Sequence, residues 1–391
     1  MEMIKIEEKI VYFDNSATSF PKPEIVYKTA ERAMRVYGAN AGRGGHRMAI
    51  EASQEIFKVR EKVAKLFNIK DPLRIAFTQN STYALNFAIK GCINKKGSVI
   101  TTAIEHNSSL RPLFSKRDKD EISLKIIEPE VNGDILAEKI IESITKDTVA
   151  IVVNHISNVT GAIVDIGKIG KITREKGILF IVDVSQSAGY LDIDVEKLCI
   201  DILCFTGHKS LYGLQGSGGI YIREGISFTP IIEGGTGSFS KLERQPLVMP
   251  EGLEAGTLNT MAIISLGAGI DYIQEVGIEN IRYHENKLTQ KFLKELEKIS
   301  EVEIYGNENR APVVTLNIKG IDSGDLAGYL DEKYGILVRS GLHCAPKIHK
   351  IIGNGESGGV RFSFGFFNTL EEVEYAIKAI KEIIAEIKEE K

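Results

Sequence analysis

Three side chains in this sequence combine reactive chemistry with a suggestive setting: a lysine and an aspartate at strand ends, and a cysteine in a basic turn. Lys209 follows Asp201-Ile-Leu-Cys-Phe-Thr-Gly-His208, where an apolar run gives way to glycine and predicts a buried strand ending at a turn. A lysine at such an edge must be paired, solvated or covalently used. Lysine also forms Schiff bases with carbonyl cofactors, pyridoxal phosphate (PLP) above all. Asp183 ends another apolar strand, Gly177-Ile-Leu-Phe-Ile-Val-Asp183. A PLP site needs this pair, the lysine to hold the aldehyde and the carboxylate to keep the pyridine nitrogen protonated. The alternative is a loop lysine and a strand-end aspartate with no shared task.

The third residue is Cys344, in Arg339-Ser-Gly-Leu-His-Cys-Ala-Pro346. Nearby positive charge favours a nucleophilic thiolate, so this turn suits a reactive cysteine better than a structural one. Cys92, Cys199 and Cys204 have apolar neighbours and read as small core residues. None of the four cysteines forms a C-x-x-C pair. A metal site from His343, Cys344 and His349 lacks further ligand-spaced residues. Arg361, in Gly359-Val-Arg-Phe-Ser363, has the chemistry to grip a substrate carboxylate through two parallel hydrogen bonds. A salt bridge within the protein is its alternative role.

The elements that must position these residues alternate. Strands are expected at 73–78, 99–104, 122–127 and 148–154, and at the runs ending in Asp183 and Thr206. Helices are expected at 24–37, 50–67, 83–90, 108–116, 135–144 and 164–176. Fully apolar strands such as Val149-Ala-Ile-Val-Val153 indicate a mainly parallel sheet covered on both faces. Ligands bind at the carboxyl ends of such strands. Those ends carry Ser81 and Thr82, His106, Asn158, Asp183 with Gln186, and Thr206 with His208 and Lys209. The Gly38–His46 stretch suits a loop that approaches a ligand, with His46 as a candidate site residue. Gly213–Gly219 and Gly207–Ser210 both lack the G-x-x-x-x-G-K-[S/T] spacing of a phosphate-binding P-loop. After Gly267-Ala-Gly269 the pattern changes. Helices at 281–299, 325–332 and 370–388, with strands at 302–305, 313–318, 336–339 and 360–363, predict a smaller α+β domain packed against the first.

The chain has 391 residues, 43% hydrophobic and 26% charged, with a formal net charge of −4. These values suit a soluble globular protein and give no footprint for nucleic acid or an anionic membrane. No apolar run approaches the roughly 20 residues of a membrane span. The charged first residues do not read as a signal peptide, so the expected location is the cytoplasm.

Taken together, the motifs resemble the class V aminotransferase-fold enzymes of the cysteine desulfurase and selenocysteine lyase family. They are Asp14-Asn-Ser-Ala-Thr18, Glu105-His106, Ser157-Asn158-x-x-Gly161, Asp183-x-x-Gln186, Thr206-Gly-His-Lys209, Ala255-Gly-Thr257 and Arg339-x-Gly-x-His-Cys344. The resemblance implies an α/β fold, PLP-dependent transferase fold type I. Its large domain, residues 12–268, would hold a mainly parallel seven-stranded sheet, and residues 1–11 with 269–391 would form the smaller domain carrying the cysteine loop. It implies that Lys209 carries PLP, Asp183 pairs with the ring nitrogen, and His106 stacks on the ring. Asn158 and Gln186 would contact the ring oxygen or substrate, and Ser81, Thr82, Thr206 and His208 the phosphate. Thr257 would reach the phosphate of a neighbouring subunit in a homodimer. Arg361, supported by Arg339, would bind the substrate carboxylate, with Asn15 also on the substrate side. Cys344 would take sulfur from L-cysteine as a persulfide, leave alanine, and pass the sulfur to an acceptor, often a separate protein. The same motif group includes enzymes favouring L-selenocysteine. Leu342 stands where histidine is frequent, and Gly234-Gly-Thr-Gly-Ser-Phe239 also departs from the commonest pattern. An aminotransferase or C–S lyase on the same fold would keep Lys209 and Asp183 without needing Cys344. A non-enzymatic PLP-binding regulator would need an added domain for which no space is evident.

Overall fold

A computed structural model describes residues 10–42 and 44–389, so the first nine residues of the expected smaller domain lie outside it. The elements run β1 (Val11–Tyr12), α1 (Glu24–Val36), α2 (Arg47–Leu66), β2 (Ile75–Thr78), α3 (Ser81–Asn86), β3 (Gly97–Thr102), α4 (Asn107–Asp118) and β4 (Ile122–Ile127). Next come α5 (Ala137–Glu142), β5 (Thr148–Asn154), α6 (Ile166–Lys176), β6 (Leu179–Asp183), β7 (Ile202–Thr206) and β8 (Gly218–Ile222). The chain continues through α7 (Thr260–Val276), α8 (Ile278–Leu296), β9 (Val302–Tyr305), β10 (Val313–Ile318), α9 (Ser323–Tyr334) and β11 (Ile336–Leu337). It closes with α10 (Pro346–Ile352), β12 (Val360–Ser363) and α11 (Leu370–Glu389).

Seven strands form the large sheet in the order β2-β8-β7-β6-β5-β3-β4. Only β8 runs against the rest, pairing antiparallel with both β2 and β7. The other strands therefore end on one edge of the sheet, and the loops after β2, β3, β5, β6 and β7 open there together. This is the geometry in which parallel sheets build ligand sites. β5, β6 and β7 are buried almost throughout, as strands covered on both faces must be.

β8 is absent from the sequence expectation, and its glycines are the reason. At Gly218 a Cβ would sit 2.8 Å from Asn80 Cα, and at Gly219 it would strike the Phe205 ring. Close packing against the neighbouring strand and the β2–α3 turn takes glycine where a β-branched residue would have signalled a strand. Likewise, α7 places Gly267 against Val59, where a Cβ would lie 2.6 Å from the valine side chain. The helix expected at 83–90 starts earlier, at Ser81, and passes at Phe87 into a π-helical turn through Cys92. There the Gly91 carbonyl turns out to accept from Thr229 N at 2.8 Å. The strand expected at 336–339 is regular only over Ile336–Leu337.

A second core lies around an antiparallel sheet, β12-β10-β9. Phe13, Phe292, Phe362 and Phe364 interlock there, with ring centroids 4.8–6.1 Å apart. β1 reaches into this core by pairing with β11. α8 turns by 83° from α7 and bridges the two cores, with Ile281 in the larger and Leu288, Phe292 and Leu296 in the smaller. No single helix among the described residues is long and apolar enough to cross a membrane.

Candidate active site

The converging strand ends enclose a cavity of about 280 Å3 with Lys209 and Asp183 in its lining. β7 ends at Thr206, Gly207 donates its N–H to Ser217 O at 2.8 Å, and His208 and Lys209 follow into the cavity lining. Burial holds the Lys209 amine at about 8, well below an ordinary lysine. Asp183 and Asp14 act against that shift, while Arg361 and Arg339 reinforce it. Asp183 is 4% exposed. Its Oδ1 accepts from Ser185 N at 2.9 Å and from Ser81 Oγ at 3.3 Å, which fixes the carboxylate at the end of β6.

His106 also lines the cavity and caps α4. Its Nδ1 accepts from Ser108 N at 3.0 Å, so the ring proton of the neutral form sits on Nε2. Burial, with Lys209 as the largest charge effect, pushes its pKa down to about 4. Beneath it, Glu105 is fully buried. Its Oε1 accepts from Thr102 Oγ1 at 2.7 Å and from Asn154 N at 2.8 Å, and Oε2 has no partner. Burial raises Glu105 to about 8, and Asp183 adds to the shift.

Ser81, Thr82, Asn158, Gln186, Thr206 and His208 line the same cavity. Thr206 Oγ1, His208 Nδ1 and Asn158 Oδ1 are buried and have no hydrogen-bond partner within the protein. Buried polar atoms are normally satisfied, so this cradle is built for a polar guest. A phosphate-bearing ring compound fits that requirement: the hydroxyls of Ser81, Thr82 and Thr206 can donate to a phosphate, and Asp183 and Lys209 share the same lining. Ser108, Ser185, Asn80 and Asn154 complete the lining without having been singled out in the sequence. Ser108 and Ser185 each stand two residues after a recognised site residue, a spacing that could have flagged them.

Arg361 is 1% exposed. It donates from Nη2 to Asp14 Oδ1 at 2.5 Å and from Nη1 to Asn158 O at 3.2 Å, with Nε unpartnered. Arg339 lies directly opposite it in an antiparallel bridge, with N···O distances of 2.7 and 3.3 Å. The two guanidinium groups thus stem from paired backbone positions. Asn15 is not part of the cavity lining. Its side chain donates to Ser363 O and Asn368 Oδ1, tying the start of the chain to β12. His46 is exposed and caps α2, and the exposed Thr257 accepts from Asn40 Nδ2 at 3.2 Å. Neither lies in this chain's own Lys209 cavity.

Cys344 is solvent-exposed. Arg339 Nη2 approaches its Sγ at 3.6 Å. Its carbonyl accepts from Asn107 N at 2.8 Å, which pins the loop to the residue after His106. Asn158 Nδ2 donates to the preceding carbonyl, His343 O, at 2.8 Å. His343 and Cys344 both adopt left-handed backbone, with φ of 51° and 57°, a conformation that costs roughly 1–2 kcal/mol per non-glycine residue. His343 is buried with its ring stacked on His349, and burial holds its pKa far below the usual histidine range. Among the described residues no group of three or more His, Cys, Asp or Glu side chains could hold a metal.

The class-V aminotransferase family model matches residues 11–376. A probable cysteine desulfurase of Pyrococcus abyssi is 36% identical over 98% of this chain and 97% of that protein. One of Methanothermobacter thermautotrophicus is 34% identical over 95% and 94%. The apo structure of a cysteine desulfurase from Thermococcus onnurineus NA1 superposes with a TM-score of 0.90 at 35% identity, covering 96% of this chain and 95% of that one. That neighbour shares the α/β architecture of PLP fold type I. A match running from β1 into α11 takes in both cores, and the chain belongs to the class-V aminotransferase family.

Proposed function

We propose that this protein is a PLP-dependent cysteine desulfurase, in which Cys344 takes the sulfur of L-cysteine and L-alanine leaves. The observation that carries the reading is the placement of the thiol. An exposed cysteine is pinned by its own carbonyl beside His106, with a guanidinium 3.6 Å from its sulfur. An aminotransferase or lyase using only Lys209 and Asp183 has no need of that arrangement.

PLP, when bound, supplies an electron sink for the substrate's α-carbon. Lys209 would hold it, Asp183 would face its ring nitrogen and His106 its ring face. Asn158 and Gln186 would meet its ring oxygen or the substrate, and Ser81, Thr82, Thr206 and His208 its phosphate. Arg361 would take the substrate carboxylate with Arg339 in support, exchanging part of its contact with Asp14 for a charged ligand. An amine held at about 8 is poised to accept and return a proton near neutral pH, so Lys209 moves the substrate's α-proton. Neutral His106 would keep its ring proton on Nε2 in the cavity lining. The Cys344 thiolate attacks the substrate sulfur, the carbon–sulfur bond breaks, and a new sulfur–sulfur bond forms. Two thiols thus become one persulfide and one methyl group, so no outside oxidant is needed. An acceptor thiol then removes the sulfur.

We also propose that residues 12–268 form the PLP-binding unit and 269–391 most of the smaller one, with α7 running across the boundary. Thr257 lies exposed and outside this chain's own cavity, which suits a homodimer in which it reaches the other protomer's site.

The test is alanine and sulfide release from L-cysteine with a reductant, in wild type and Cys344→Ala. Production by wild type with almost none from the variant supports the reading. Equal rates would move it to a cysteine-independent lyase. L-selenocysteine in the same assay separates the two substrate preferences.

A further inference from the structure

The surface around Cys344 runs against the charge of the whole chain. The formal net charge is −4, yet residues 339–352 carry Arg339, Lys347 and Lys350 and no carboxylate. Helix α4 carries Arg111, Lys116 and Arg117 against one carboxylate, Asp118 at its last position. The two segments meet at the Asn107–Cys344 hydrogen bond. Arg111 follows Asn107 by one helical turn and so shares its face of α4. Its charge is felt at His106. Phe114 joins the segments a second time, with Arg117 Cζ 4.7 Å and Lys347 Nζ 5.5 Å from its ring centroid.

Lys116 and Arg117 are neutralised by Glu121 and Asp118. Arg111, Lys347 and Lys350 have no ion-pair partner among the described residues. Leu342 is 37% exposed beside the cysteine. The rim thus offers free cations around an apolar residue and a thiol. Burying that surface against a partner carrying carboxylates would neutralise it, and its field would steer such a partner in.

We propose that the sulfur acceptor is a protein thiol set in an acidic surface, and that Arg111, Lys347 and Lys350 dock it. This rests on the desulfurase reading. The acceptor thiolate attacks the outer sulfur of the Cys344 persulfide. The sulfur–sulfur bond to Cys344 breaks, a new one forms on the acceptor, and Cys344 takes up the proton. Cys344 is reduced as the acceptor is oxidised. A nucleic acid shares the negative charge but offers no thiol for this step, which favours the protein.

The experiment loads the holoenzyme with one turnover of L-cysteine and measures sulfur transfer to three octapeptides. Each peptide holds one cysteine, flanked by glutamate, serine or lysine, with rates normalised to each peptide's reactivity toward a small disulfide. At low salt the acidic peptide is expected to react about tenfold or more faster than the serine peptide, within the 10–1000-fold range of electrostatic steering. The advantage should collapse at high salt. Arg111→Glu with Lys347→Glu should reverse the order while leaving the single-turnover alanine burst intact. Should that double variant misfold, exposed Lys350→Glu and the wild-type salt series still decide. Equal rates for the three peptides, a preference untouched by salt, or a short RNA that abolishes transfer at stoichiometric amounts would overturn the proposal. Absence of an alanine burst would instead overturn the desulfurase reading.

Discussion

Lys22 Nζ donates to the carbonyl oxygen of His208 at 3.1 Å. The same oxygen accepts from Thr18 Oγ1 at 3.0 Å and from Ser19 N at 3.2 Å. It belongs to the peptide bond that leads into Lys209. Lys22 is 8% exposed, and its other donors meet Ser19 O and Oγ. The segment after β1 therefore clamps the backbone of the central lysine. Lys22→Met keeps the bulk and removes the donors. It should cost about 1 kcal/mol of stability and lower kcat more than it raises KM, because the His208 carbonyl that loses this donor leads directly into Lys209. Steady-state kinetics with thermal unfolding checks this, and unchanged kcat would refute the clamp.

The Lys209 amine should make cofactor capture pH-dependent. Only the unprotonated amine attacks an aldehyde, and burial brings its pKa down to about 8. The rate of covalent PLP attachment to cofactor-free protein should rise through a midpoint near pH 8 and level off above it. A lysine at its usual value would still be rising near pH 10. Stopped-flow absorbance across this range distinguishes the two curves.

Glu105 should weaken the fold as pH rises. Its pKa lies at about 8 in the fold against 4.5 for the ordinary group, because burial disfavours the carboxylate. The folded state then keeps a proton that the unfolded chain releases, so this contribution is fully present below 4.5 and is lost as pH rises through 8. Glu105→Gln retains an acceptor for Thr102 and Asn154 N and cannot ionise. The variant should gain stability relative to wild type at pH 8 by a few kcal/mol at most, and show little difference near pH 4.5. Urea unfolding at the two pH values measures the change, and an identical pH dependence in both proteins would contradict it.

The backbone at Cys344 should prefer glycine. With φ at 57°, any Cβ is strained, whereas glycine reaches this region freely. Cys344→Gly should therefore be about 1 kcal/mol more stable than Cys344→Ala, although both lose desulfuration. Equal melting temperatures for the two variants would show that the turn carries no such strain.

Much of the site was legible because its residues combine reactive chemistry with a local context that demands explanation. Lys209 and Asp183 stand at the ends of apolar strands, and Cys344 stands in a basic turn. Ser108 and Ser185 escaped notice, since lone hydroxyls are common and only their contacts to His106 and Asp183 distinguish them. Lys22 escaped because its partner is a backbone carbonyl far along the chain. Asn15 was expected near the substrate, yet its amide braces Ser363 and Asn368. β8 and most of α7 went unread because glycines at close contacts dilute the apolar period that marks an element.

By itself the sequence determined the strand–helix alternation, and with it a parallel sheet with polar residues at its strand ends. These follow from local periodicity and from the burial of both sheet faces. Tertiary structure alone decided which of those residues meet. Arg339 faces Arg361 through a two-residue bridge, and the Cys344 carbonyl rests on Asn107 N. The first joins the stretch just after β11 to β12 within the smaller core, and the second joins segments far apart in sequence, so its geometry depends on the packing of the two cores. No local pattern records such a pairing, because each partner's conformation is satisfied only when the other is in place.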